Sequence, residues 1–189
     1  MKKTLTIILA FALVIAMSVA GTVAYLTSQD SVTNTFTVGK VKITLDEAEV
    51  DANGAVTSAE RVKTNSYKLI PGHTYTKDPI IHVDASSEEC WLFVKVENGI
   101  SAIEDSTNTI EAQLAAKGWS AVTTAAGVYA YKESVAGGTN VPVFGSFKIA
   151  GTADVANYEN ATVVVTAYAV QADGFDTAAD AWTASGFRA

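Results

Sequence analysis

Apolar and polar side chains alternate with a period of two along much of the chain, and this alternation most restricts its fold. In residues 41–45 and 92–96 every second residue is apolar, and residues 163–170 are mostly β-branched or aromatic. A period of two is typical of half-buried β-strands, because successive side chains of a strand point to opposite faces. We therefore expect these three stretches to be central strands of antiparallel sheets.

Weaker strand patterns and two short helical patterns follow along the chain. Further strands are predicted at residues 67–70, 79–84, 128–132 and 143–149, which gives about seven or eight strands. Helices are predicted at residues 108–117, ending at Gly118, and at residues 177–183, with Asp176 as the N-cap. Many short strands with little helix predict an all-β protein, an antiparallel β-sandwich with one or two short helices.

The first residues have the pattern of a secretory signal peptide. Lys2 and Lys3 precede a mostly apolar run that begins at Leu5, which is the order of the charged and apolar regions of such a signal. Small residues allow cleavage after Ala20 or after Ala24, and we expect the second site, between Ala24 and Tyr25. A retained membrane anchor is the alternative, because the apolar run approaches the ~20 residues that span a bilayer.

This signal divides the chain and sets its compartment. The product is expected to be secreted, at the cell surface or in an extracellular matrix, with membrane contact only as the uncleaved precursor. Three parts are predicted: a cleaved signal peptide at residues 1–24, an N-terminal arm at residues 25–38, and a β-sandwich domain at residues 39–189.

Charge and cysteine content exclude several functions. The chain has 13 basic and 20 acidic residues and a formal net charge of -7, so it offers no basic field to a nucleic acid. Cys90 is the single cysteine, which rules out an intrachain disulfide. Cys90 shares strand parity with Leu92 and Val94, so we expect it to be a buried hydrophobic residue rather than a nucleophile.

No histidine cluster predicts a zinc site. His73 and His82 lie nine residues apart, and we expect His82 to face solvent because its parity is opposite to that of Ile81. Adjacent acidic residues such as Asp46 and Glu47 point to opposite sides of a strand and are expected to be solvated. We therefore expect no catalytic residues, no enzymatic activity and no required cofactor.

One acidic loop matches a calcium site in its spacing. Glu49, Asp51, Asn53 and Glu60 occupy ligand positions of a twelve-residue calcium loop, although the loop follows a strand rather than a helix. The competing interpretation is a hairpin tip in which Asn53 and Gly54 supply two residues with positive φ. Both interpretations stay open at this point, with the hairpin favoured.

The arm after the predicted cleavage site can form a strand but has too few apolar residues to pair stably alone. Leu26, Val32, Phe36 and Val38 share one parity, whereas most of the intervening residues are polar. Docking onto an exposed sheet edge, its own or that of a neighbour, would satisfy the backbone of this arm. A head-to-tail contact with a neighbour that does not close generates filaments.

These residues resemble a known family. Residues 21–26 (GTVAYL) running into residues 34–41 (NTFTVGKV) are similar to the leader and mature start of the TasA/camelysin family, which Gram-positive bacteria export through a dedicated signal peptidase of the SipW type. Shorter blocks, at residues 69–72, 77–79, 94–96 and 167–172, are similar to clostridial members of this family. The resemblance thus extends over nearly the whole chain.

The resemblance implies a jelly-roll sandwich that forms extracellular biofilm-matrix fibres. In such fibres the freed arm completes the sheet of the adjacent subunit by donor-strand exchange, a role that would fall on Tyr25, Leu26, Val32, Phe36 and Val38. The implied partners are other copies of the chain, together with minor matrix or anchoring proteins. Two alternatives remain: a monomeric surface or secreted binding module, and a metalloprotease as described for camelysins, for which this chain lacks a recognisable zinc motif.

Overall fold

The computed structural model describes residues 39–187, so the predicted signal peptide, its cleavage site and the N-terminal arm lie outside the described residues. Within this range ten strands and two short α-helices form. The strands are β1 (Ile43–Val50), β2 (Val56–Val62), β3 (Thr74–Thr76), β4 (Ile80–Val83), β5 (Cys90–Asn98), β6 (Trp119–Ala121), β7 (Val128–Tyr131), β8 (Asn140–Pro142), β9 (Ser146–Lys148) and β10 (Val163–Gln171). The helices are α1 (Ile110–Ala116) and α2 (Ala178–Ser185).

Eight of these strands form two four-stranded antiparallel sheets. The first sheet has the order β2-β1-β4-β8 and the second the order β10-β5-β7-β6, while β3 and β9 form a separate pair. The chain crosses between the two sheets after β4, after β7 and before β10. The expected all-β, jelly-roll-like antiparallel sandwich with two short helices is confirmed.

The alternation of apolar residues builds the core between the two sheets. Ile81 and Val83 of β4 face Cys90, Leu92 and Val94 of β5, and all five are at most 3% exposed. Burial of an aliphatic side chain of this size contributes about 1.5–3 kcal/mol. The prediction that Cys90 is a buried hydrophobic residue is confirmed, and burial, with Glu89 nearby, raises the pKa of its thiol to about 11.

The second sheet is covered on its outer face as well. Phe93 of β5 and Val128 of β7 pack there against Ala181 and Trp182 of α2. This helix begins one residue later than predicted, because Thr177 rather than Asp176 is the N-cap and accepts the amide of Asp180 at 3.2 Å. The residues packed around Trp182 therefore form a second, smaller hydrophobic core on the outer face of the second sheet.

Helix α1 forms where the sequence predicts it. Ile110 and Leu114, four residues apart, are both buried, and the hydroxyl of Thr109 caps the helix by accepting the amide of Ala112 at 3.1 Å. Gly118 follows the helix with φ of 89°, a left-handed conformation that glycine adopts without steric cost. None of the helices in residues 39–187 has both the length and the apolar character needed to cross a bilayer.

One predicted strand is absent, and another is shorter than expected. Residues 67–70 pair with no strand within the described range. Ile70 N donates to the Tyr75 hydroxyl at 2.7 Å, and that hydroxyl donates to the carbonyl of Lys68 at 2.5 Å. Lys68 N donates to the carbonyl of Ala52 at 2.8 Å. Of residues 143–149 only β9 is a strand, while Val143 and Phe144 are buried in the bend before it.

Candidate functional site

One side of the sandwich is closed by a tryptophan. Trp119, in the edge strand β6 of the second sheet, is 2% exposed and donates its indole N–H to the carbonyl oxygen of Pro142 in β8 at 3.1 Å. Because β8 is the edge strand of the first sheet within residues 39–187, this bond joins the two sheets along one side.

The opposite side is open. Between β1 and β2 of the first sheet and β10 of the second lies a groove with a volume of about 830 Å³, which we call the lateral groove. Its apolar lining includes Leu45, Val62, Ile100, Phe147, Val163 and Val165. The lateral groove is therefore a gap at the side of the hydrophobic core rather than a pit on an otherwise closed surface.

Side chains that point into the lateral groove are less buried than their neighbours in the same sheets. Leu45 of β1 is half-buried, whereas its cross-strand partner Ile81 is 0% exposed. Ala167 of β10 is likewise half-buried, whereas its partner Val94 is 0% exposed. Among residues 39–187, therefore, no further layer of side chains covers the core at the groove.

Strand β10 also leaves backbone groups unpaired with β5 along the lateral groove. Gly99 N donates to the carbonyl of Thr162 at 2.9 Å, and Ala172 N donates to the carbonyl of Glu89 at 2.8 Å. Because the partners in an antiparallel pair alternate, the odd-numbered residues from Val163 to Ala169 direct their N–H and C=O groups away from β5. Within the described residues no other strand pairs with this edge, and such an edge is a template for an added strand.

β10 does not lie where its sequence predicts. Residues 163–170 were expected to form a central strand, and β10 instead lies at the edge of the second sheet among the described strands. Its outer face is apolar because Tyr168 and Val170 pack there against the cluster around Trp182 of α2, so this composition reflects cover on both faces of the sheet and not strands on both edges. The lateral groove lies beside the edge of β10 that pairs with no strand of residues 39–187.

The β1 side of the lateral groove is protected differently. Lys63, which follows β2, donates from its ammonium group to the carbonyl oxygen of Leu45. Thr44 and Asp46 of β1 direct their backbone N–H and C=O groups toward β4. Because hydrogen-bonded and non-hydrogen-bonded residues alternate along an antiparallel strand, the backbone groups of Leu45 point away from β4. β1 lies between β2 and β4, but it pairs with β2 only from Glu47 onward, and a lysine beside its first residues disfavours pairing with a further strand there.

A buried ion pair lies in the groove wall. Glu47 of β1 is 5% exposed, and its carboxylate accepts Lys77 Nζ at 2.6 Å and Asn65 Nδ2 at 3.0 Å. The expectation of a solvated Asp46–Glu47 pair is wrong for Glu47, whose parity turns it toward the core. Burial, and secondarily the charges of Glu47 and Asp78, raises the pKa of the adjacent Tyr67 well above its ordinary value.

Asp46 points to the outer face of the first sheet. Burial disfavours its charged form, but hydrogen bonds from Arg61 and His82 outweigh burial and hold its pKa below the ordinary value. His82 Nε2 lies 2.9 Å from Asp46 Oδ1, and His82 Nδ1 lies 2.7 Å from Asn140 Oδ1. His82 is on the outer face as its parity predicts, but it is half-buried in this polar cluster instead of free in solvent.

The calcium-loop residues form a hairpin tip. Asp51 Oδ1 accepts the amides of Asn53 and Ala55 at 2.9 Å each. Gly54 has φ of 78°, and the prediction of a positive φ at Asn53 is wrong. The tip is a turn closed by Gly54 N donating to Asp51 O at 2.9 Å, followed by one left-handed glycine, which is a common hairpin connection.

These loop residues do not converge on a metal position. Glu49 accepts the Ser58 hydroxyl at 2.6 Å, and Asp51 is used by the turn. Within residues 39–187 no three acidic, histidine or cysteine side chains come close enough to hold a metal ion. The candidate ligands Glu49, Asp51 and Glu60 are therefore not brought together.

Two predicted features lie outside the described residues: the cleavage position after Ala24 and the arm residues Tyr25, Leu26, Val32, Phe36 and Val38.

The lateral groove was not predicted from the sequence, because its walls come from segments more than a hundred residues apart. No local pattern marked the groove, because the apolar residues 163–170 report cover on the faces of β10 and not the pairing of its edges. Comparison of the chain with protein-family models, curated proteins and solved structures finds no match.

Proposed function

We propose that this protein is a secreted structural subunit of extracellular, biofilm-matrix fibres, in which the N-terminal arm of one copy enters the lateral groove of the next. The observation that carries the proposal is β10, which borders an open groove with an edge that pairs with no other strand of the described domain. An extended segment added to such an edge gains backbone hydrogen bonds and buries every second side chain.

The arm has the pattern that this edge requires. Leu26, Val32, Phe36 and Val38 share one parity, so an extended arm would direct them to one face. Paired with β10, that face would cover the half-buried Val163 and Val165, while the arm backbone would bond to the free groups of the odd-numbered β10 residues. Each apolar side chain fully buried this way would contribute about 1.5–3 kcal/mol.

The course of the chain after the arm favours exchange between molecules. Glu88 N donates to the carbonyl of Lys40 at 3.0 Å, and Asp84 N donates to the carbonyl of Lys42 at 2.9 Å. These bonds hold residues 40–42 beside the loop that precedes β5, close to Ala172 at the far end of β10, which bonds to Glu89. The lateral groove instead borders the other half of β10, from Val163 to Ala167.

An arm that continues in the direction of residues 42 to 40 moves away from the groove of its own molecule. Insertion into that groove would require a reversal of the chain, whereas insertion into a neighbour continues its course. Each subunit would then offer an arm at one end and a groove toward the other. Such a head-to-tail contact does not close on itself and produces a filament.

Two neighbouring valines of β10 provide the test. Both residues border the lateral groove, but Val165 shares the core-facing parity of Val163, whereas the side chain of Val164 points to the opposite face of the strand and is 42% exposed. In the secreted chain that begins at Tyr25, Val165→Asp places a charge where the arm would pack, which is costly without a partner. We expect Val165→Asp to abolish filaments in electron micrographs and Val164→Asp to leave them intact, with both variants folded by circular dichroism.

Three results would contradict the proposal. The wild-type secreted chain could stay monomeric at high concentration, which would favour a monomeric binding module. Filaments of Val165→Asp equal to those of Val164→Asp would show that the groove is not the acceptor. N-terminal sequencing of the secreted protein that placed its start well after Tyr25 would remove the arm from the product.

A further inference from the structure

The face of the arm that would enter the lateral groove carries one charge. Asp30 has the same parity as Leu26, Val32 and Phe36, and it is the only charged residue between residues 25 and 38. In an extended arm its carboxylate therefore turns toward the groove together with the apolar side chains. A carboxylate placed against an apolar wall is unfavourable unless it meets a cation or hydrogen-bond donors.

The groove wall contains two ammonium groups. Lys77 is committed to Glu47, at 2.6 Å and nearly out of contact with solvent. Lys63 is exposed and has no carboxylate partner within residues 39–187. Its ammonium group lies on the carbonyl oxygen of Leu45, at the β1 edge of the groove. Lys63 is thus the cation in the wall that can accept a new carboxylate without breaking an ion pair of the described domain.

We propose that Asp30 of the incoming arm forms an ion pair with Lys63 of the acceptor subunit, and that this pair sets the register of the inserted strand. The inference rests on the proposed function and specifies the contact that selects the partner. A strand can slip along an apolar groove by two residues and keep the same face buried, so a polar contact on that face is needed to distinguish the registers. Polar groups that fix register at a cost in stability are well known.

The pair also explains why the two edges of the lateral groove differ. Lys63 covers the backbone of Leu45 on the β1 side, whereas the edge of β10 has no partner strand among residues 39–187. When the arm pairs with β10, Asp30 would draw the ammonium group from the neutral carbonyl of Leu45 to a full negative charge, and charge-assisted bonds are stronger than neutral ones. The lysine that covers the backbone of Leu45 would thus become the contact that recognises the correct arm.

A charge exchange in the full secreted chain tests the proposal. Lys63→Glu would place two negative charges opposite each other, and like charges at an interface are disfavoured. We expect this variant to raise the concentration needed for filament growth about tenfold, an effect of about 1.4 kcal/mol. Lys68→Glu, an exposed lysine outside the groove lining, is the matched control and should polymerise like the wild type.

Rescue by the second substitution is the decisive measurement. The double variant Asp30→Lys with Lys63→Glu restores opposite charges and should polymerise within about threefold of the wild type, whereas Asp30→Lys alone should be impaired. If Lys63→Glu grows filaments like Lys68→Glu, or if the double variant is no better than the worse single variant, the ion pair is wrong while the fibre function stands. If the wild type grows no filaments, the fibre function itself is wrong, and the pair with it.

Discussion

Glu47 and Lys77 form a 2.6 Å ion pair in the wall of the lateral groove, where both side chains are almost removed from solvent. Two charges taken out of water are tolerated only because each satisfies the other, and Asn65 adds a hydrogen bond to the carboxylate. Removing one partner therefore costs more than removing an ion pair on the surface.

The first prediction follows from this pair. Lys77→Met should lower the free energy of unfolding by about 3–5 kcal/mol, because it leaves the Glu47 carboxylate buried without its cation. The measurement is urea denaturation at neutral pH. Lys132→Met, which breaks the exposed pair with Glu133, is the control and should change the stability by less than about 1 kcal/mol. Equal effects of both substitutions would show that the Glu47–Lys77 pair is not buried as described.

The second prediction concerns the whole arm. Under the proposed function, deleting residues 25–35 from a chain that begins at Tyr25 should abolish filaments while the sandwich stays folded, because the described core is built from strands that begin at β1. Electron microscopy and circular dichroism measure the two properties separately. Filaments of the shortened chain would exclude the arm as the connector between subunits.

The third prediction concerns the face of the arm. Phe36→Asp should block assembly, because it adds a charge without a partner to the apolar row that we propose to cover Val163 and Val165. Thr35→Asp puts the same charge on the opposite face of the strand and should leave filaments in place. If both variants assemble equally, the arm does not bind through the parity of Phe36.

The fourth prediction concerns acid stability. Arg61 and His82 hold the pKa of Asp46 below its ordinary value although burial opposes them. A carboxyl group whose pKa is lower in the folded than in the unfolded chain stabilises the fold above its unfolded pKa, and this contribution disappears as the pH falls through the folded pKa.

Asp46→Asn should therefore be less stable than the wild type at pH 7, and the difference should shrink as the pH falls below about 4. Urea denaturation at pH 7 and at decreasing acidic pH measures it. A difference that stays constant down to pH 2 would mean that the charge of Asp46 does not stabilise the fold.

Local patterns were enough to predict the class of fold. The alternation around Leu92 and Val94 predicted a strand, and the spacing of Ile110 and Leu114 predicted a helix; both are confirmed. The strand is not half-buried as predicted, because Phe93 on its other face is buried as well. Such patterns are readable because they depend on the geometry of a few consecutive residues, with a period of two in a strand and 3.6 in a helix. The exclusion of an intrachain disulfide required only the count of cysteines.

Local patterns did not predict which strands lie next to each other in the sheets. Residues 163–170 were predicted to form a central strand, yet β10 is an edge strand of the described domain, and Glu47 is buried although an acidic residue is usually solvated. Both outcomes depend on segments far away in the chain: Lys77 neutralises Glu47, and the groove beside β10 is walled by β1 and β2. Pairing between distant segments follows from the packing of all the strands together, so the groove exists only once the whole sandwich has formed.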